Sequence, residues 1–98
     1  MAPLRPRVRR DLAWVEVEDE AVVYDQATGD LHHLNQPATI VFTLCDGQST
    51  VKELSDDISS AFGIPAAQVQ REVRRLIREF RSFGLLEGGV GSSNGKTS

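Results

Sequence analysis

The chain has 98 residues and a net charge of −3, with 40% apolar and 26% charged residues. That profile predicts one small globular domain. No apolar run approaches the roughly 20 residues needed to span a bilayer. The basic stretch Met1 to Arg10 is followed by no apolar run and so does not read as a secretory signal. A lone cysteine, Cys45, excludes an internal disulfide framework and any multi-cysteine metal site, and a cytoplasmic location is expected.

Charge is segregated along the chain. Eleven acids lie between Asp11 and Asp57, against one base, Lys52. Five arginines lie between Arg71 and Arg81, against Glu72 and Glu79, and the first ten residues add Arg5, Arg7, Arg9 and Arg10. Such segregation creates local fields that steer a charged partner.

Residues 1–10, rich in Pro and Arg, read as a flexible basic arm. Residues 11–87 form the expected folded domain. Within it, Leu12 to Val17 is rich in β-formers, Glu18 to Glu20 is a polar break, and Ala21 to Asp25 is a second strand. Gln26 to Gly29 is a turn, and Asp30 to Leu34 is a third strand. The spacing predicts an antiparallel three-strand meander. Leu31 and His33 share one face of the third strand, His32 and Leu34 the other.

Helices follow. Asn35 is a good N-cap with Pro37 just inside the helix, and Ala38, Val41, Phe42 and Cys45 recur at helical spacing up to the stop at Asp46-Gly47. Thr50 and Glu53 fit a capping box for a second helix that buries Val51, Leu54, Ile58 and Phe62 and ends at Gly63. Pro65 opens a third helix reaching Phe83, with Gly84 as its breaker. At about 100° per residue, Arg71, Arg74, Arg75, Arg78 and Arg81 fall on one side of this helix. Val69, Val73, Leu76, Ile77, Phe80 and Phe83 fall on the other. The expected class is therefore α+β: a three-stranded antiparallel sheet followed by three helices, in a winged helix-turn-helix arrangement. Residues 88–98, rich in glycine and serine, read as a disordered tail.

Catalytic and metal chemistry find little support. Adjacent strand residues point apart, so His32 and His33 cannot chelate one ion by themselves, and no further ligand pattern completes a site. Cys45 lies on an apolar helix face, where burial makes a thiol inert. No phosphate loop or nucleophile motif is present. No catalytic residue, metal or cofactor is predicted, and the chain reads as a non-enzyme.

The arginine ridge has three readings. One is a solvated helix face. A second is a recognition helix of a small DNA-binding regulator, against which stands the acidity of the rest of the domain. The third is one wall of a peptide groove. Peptides add as strands to open sheet edges, and a three-stranded sheet has two. An open edge can also pair with a second copy, giving a homodimer.

The pieces Val22-Val23-Tyr24-Asp25, Leu31-His32-His33-Leu34-Asn35, Asp46-Gly47, Thr50-Val51, Phe62-Gly63 and Gly84-Leu85-Leu86 together resemble the PqqD family, the recognition elements for ribosomally made precursor peptides. The resemblance covers about residues 12–87. It implies binding of a precursor's leader segment as a strand beside the third strand, packed on the third helix. It implies presentation of that peptide to a modifying enzyme, such as a radical SAM enzyme or, in lasso-peptide pathways, a leader protease. Carried onto this chain, the groove draws on Asp30, Leu31, His32, His33 and Leu34 of the strand. Its helix wall draws on Gln70, Val73, Arg74, Ile77, Arg78 and Arg81.

Overall fold

A computed structural model describes residues 4–88. The element order is β1 (Leu12–Val17), β2 (Glu20–Asp25), β3 (Asp30–Leu34), α1 (Gln36–Leu44), α2 (Val51–Phe62) and α3 (Ala66–Ser82). The three strands form one antiparallel sheet in the order β1-β2-β3, as the meander spacing predicts. Register pairs Trp14 with Val23 and Val23 with His32, so these three share a face with Leu12, Ala21 and Leu34. That face is the inner one: Ala21, Val23 and Leu34 are buried in a core with Val41, Phe42, Leu54, Val73, Leu76, Phe80 and Leu85. Trp14 meets Phe42 edge-on at 5.2 Å, and Phe42 meets Phe80 edge-on at 5.9 Å, which ties sheet, α1 and α3 together.

Local chemistry sets the helix ends. The Asn35 side chain accepts from the Ala38 N–H at 3.0 Å, and Pro37 follows where its missing donor costs nothing. Thr50 and Glu53 close a reciprocal capping box, with bonds of 3.1 and 2.8 Å. At the end of α3, Gly84 takes φ 74°, a left-handed conformation that β-carbon sterics penalise. The Leu85 N–H then donates back to Phe80 O at 2.9 Å, and Leu85 and Leu86 return to the core.

Two apolar expectations differ. Phe62 is 56% exposed rather than buried, because α2 ends there and no further turn carries it inward. Phe83 is exposed too; it lies past the last buried turn of α3, and its ring packs at 5.1 Å on His32.

The basic arm also departs from expectation. Residues 1–3 and 89–98, which hold the start of that arm and nearly all of the expected tail, lie outside the described residues. From Pro6 to Arg9, however, the arm is a docked strap rather than a mobile one. The Gly47 N–H donates to Pro6 O, the Val8 N–H to Cys45 O and the Arg9 N–H to Leu85 O, while the Glu87 N–H donates to Arg7 O. The strap thus stitches the end of α1 to the segment after α3. Arg9 anchors it: its guanidinium reaches Asp25 at 2.8 Å, Asp11 at 2.7 Å and Gly84 O at 2.9 Å.

Asp25 is only 1% exposed. Burial works to raise its pKa, but the Arg9 guanidinium and the Ala27 N–H outweigh burial and hold it below the ordinary carboxylate value. A carboxylate depressed in the folded state adds stability above its unfolded pKa and loses it as pH falls through the folded one. Thermal stability is therefore expected to fall as pH drops below about 4. Melting curves between about pH 5 and 2 check this. A melting temperature flat across that window contradicts it.

Candidate functional site: an open strand edge beside α3

Because β3 pairs only with β2, its outer edge carries no strand among the described residues. Such an edge presents backbone donors and acceptors to any extended segment that reaches it. Within β3, Leu34 is buried, His32 half-buried and His33 exposed, and Leu31 projects from the outer face. His33 Nε2 lies 3.0 Å from Glu20. His32 Nε2 is buried without a hydrogen-bond partner.

The His32–Phe83 contact brings β3 against the C-terminal end of α3. From there β3 runs through Asn35 into α1. Past its end an open groove of about 780 Å³ lies between the start of α1, the end of α2 and α3. Pro37, Ile40, Val41, Ile58, Phe62, Ile64, Val69 and Leu76 make it apolar, and Gln36, Gln68, Arg71, Glu72, Arg75 and Arg78 add polar groups. An apolar concave surface with a few polar groups suits a ligand that is held by side-chain burial and oriented by charge.

The structure divides the expected helix wall. Val73 and Arg78 line the groove, whereas Gln70, Arg74, Ile77 and Arg81 are not among its lining residues. The division follows helix geometry. Gln68, Glu72, Leu76 and Phe83 fall on one flank of α3, and Gln70, Arg74, Ile77 and Arg81 fall on the other, about 180° away. The His32–Phe83 contact turns the first flank toward β3. Val73 and Ile77 are themselves core residues. Sequence reasoning missed Ile40, Phe62 and Ile64 as groove residues. The available signal was that Phe62 is the last residue before the helix-ending Gly63.

The arginines are not equivalent either. Arg75 bonds Glu72 and Glu79, and the Glu72 contact draws the Glu72 pKa below its usual value. Arg71, Arg74, Arg78 and Arg81 make no ion pair among the described residues, so their charge is available to a partner. No group of His, Cys, Asp and Glu among the described residues could hold a metal ion. Cys45 is buried, and burial pushes its thiol up to about 12, leaving it protonated near neutral pH. No helix among the described residues is long and apolar enough to cross a membrane.

Known proteins share this architecture. A solved structure described as TbiB1 in complex with the TbiA(beta) leader peptide is similar, with a TM-score of 0.74 and 22% identity over 84% of this chain and 95% of that one. Another, a lasso peptide synthetase B1 complexed with the leader peptide, gives a TM-score of 0.72 at 15% identity over 84% and 96% of the two chains. At these identities the likeness is one of fold. No curated protein matches the chain. The family model for PqqD, Coenzyme PQQ synthesis protein D, matches residues 20–86, well over half the sequence and the whole span from β2 to Leu86. The chain belongs to the PqqD family.

Proposed function

We propose that the chain binds the leader segment of a ribosomally synthesised precursor peptide and presents it to a modifying enzyme, without chemistry of its own. The observation that carries this reading is the open edge of β3, with an apolar groove against α3 beyond its end that is lined from Gln36 onward and by no residue of β3. The edge supplies backbone hydrogen bonds to an added strand, which are largely indifferent to sequence, and the groove supplies selectivity through side chains. The family and the two leader-bound neighbours support the same reading. The proposed receiving partner, a leader protease or a radical SAM enzyme, is the one the resemblance to the PqqD family implies.

On this reading the backbone of Asp30, Leu31, His32, His33 and Leu34 forms one wall. Leu76, Gln68 and Arg78 form part of the other, and Ile40, Phe62 and Ile64 hold an apolar anchor of the peptide. Arg74 and Arg81 lie outside the groove. Affinity for a leader peptide encoded beside the gene tests the division. Arg78→Glu is expected to weaken binding about tenfold, or roughly 1.4 kcal/mol, and Arg74→Glu to change it less than twofold. Both are exposed charge swaps that cost the fold little. Equal losses in both variants, or none in either, remove this assignment of the helix wall.

A further inference from the structure

We propose that the outer face of the sheet is a docking surface for the modifying enzyme, one with an apolar centre bordered by lysines or arginines. This rests on the function proposed above. Strand alternation and register place Ala13, Val15, Val17, Val22, Tyr24 and Leu31 together on the face opposite the core. The rows are contiguous: Leu31 pairs with Tyr24 and Tyr24 with Ala13, while Val22 pairs with Val15. Val15, Val17 and Leu31 are 60%, 61% and 69% exposed. Among the described residues the helices pack on the other side, and none of them is packed on this face. Scattered apolar residues on a surface are ordinary, but a contiguous patch of six marks an interaction site.

The rim says what kind of partner fits. At one end of the patch the β1–β2 turn carries Glu18 and Asp19, followed by Glu20. Glu18 and Asp19 take φ 52° and 69°, the geometry of a two-residue hairpin turn that Asn-Gly fits with less strain. The chain thus holds two acids where uncharged residues would make a better turn. Strain of this kind is retained where the residues serve something other than folding. The face carries no lysine or arginine, and its one histidine, His33, already lies 3.0 Å from Glu20, so a second copy laid on it offers Glu18 and Asp19 no lysine or arginine. A basic-rimmed partner does. A leader strand added at β3 would also extend this face past Leu31, so an enzyme seated there would touch the recognition protein and its peptide at once.

The test measures two affinities for each variant: for a leader peptide, and for the purified modifying enzyme encoded beside the gene. Val15→Lys should leave leader affinity within twofold and weaken enzyme affinity at least tenfold. Glu18→Asn with Asp19→Gly should raise the melting temperature while weakening enzyme affinity severalfold. A structural role alone would not move those two readouts in opposite directions. Undiminished enzyme binding in both variants overturns the proposal. So does a wild-type chain that does not bind the enzyme with or without leader, or one that sedimentation shows to be a dimer which Val15→Lys splits. Failure of the underlying reading is separately visible, as a wild-type chain that binds the enzyme but no leader peptide.

Discussion

Arg9→Ala is expected to cost about 3 kcal/mol of folding stability, a large share of what a domain of this size commands. The size of the effect follows from what the substitution leaves behind. Asp25 is buried, and with Arg9 gone its charge keeps backbone N–H groups, that of Ala27 at 3.0 Å among them, but no cation. The value sits at the low end for a broken buried pair because the Arg9 side chain retains 22% exposure. Gly84 O loses a donor at the same time, and the strap loses its anchor. Asp25→Asn in the same background should recover part of the loss, since the unpaired charge is then removed. Arg75→Ala provides the contrast. It breaks two ion pairs, but on a solvated helix face, where solvent screening leaves each contributing little. Urea unfolding of the three variants checks the ordering. Equal losses for Arg9→Ala and Arg75→Ala contradict it.

Phe62→Asp is expected to weaken leader binding tenfold or more while leaving the fold largely intact. Burying a phenylalanine side chain contributes about 1.5 to 3 kcal/mol. Phe62 is exposed in the free chain, so that contribution is still to be gained when a peptide fills the groove. An aspartate there gains nothing from the peptide and sets a carboxylate against apolar Ile58 and Ile64. Isothermal titration of the variant with a leader peptide, beside its melting curve, separates binding from folding. Unchanged affinity would exclude the apolar end of the groove from the site.

The parts legible in the sequence were those set by neighbouring residues. Asn35, the Thr50–Glu53 box and Gly84 mark helix ends through bonds spanning only a few positions. The core stripe Val69, Val73, Leu76, Ile77 and Phe80 declares itself through helical spacing and is buried throughout. The third strand is bounded by a turn and a cap, and it is found at Asp30–Leu34. Long-range placement was not legible. Arg9 and Asp25 are 16 residues apart, and only the folded chain brings them together. Spacing fixes which side of α3 is apolar, but the packing of α3 against β3 decides which flank borders the groove. That is why Arg74 and Arg78, neighbours on one ridge by sequence, fall on different sides of its boundary. Phe62 read as core because its spacing matches Leu54 and Ile58, yet the helix ends under it.

The most direct test of strand addition beside β3 is amide hydrogen exchange, read by NMR with and without a leader peptide encoded beside the gene. In the free chain, the β3 amides that are not bonded to β2 should exchange quickly. On saturation with peptide they should slow by tenfold or more, accompanied by chemical-shift changes at Gln68, Leu76 and Arg78. Saturable binding that leaves residues 30–34 unprotected and instead slows the β1 edge, or shifts only Arg74 and Arg81, would contradict the account.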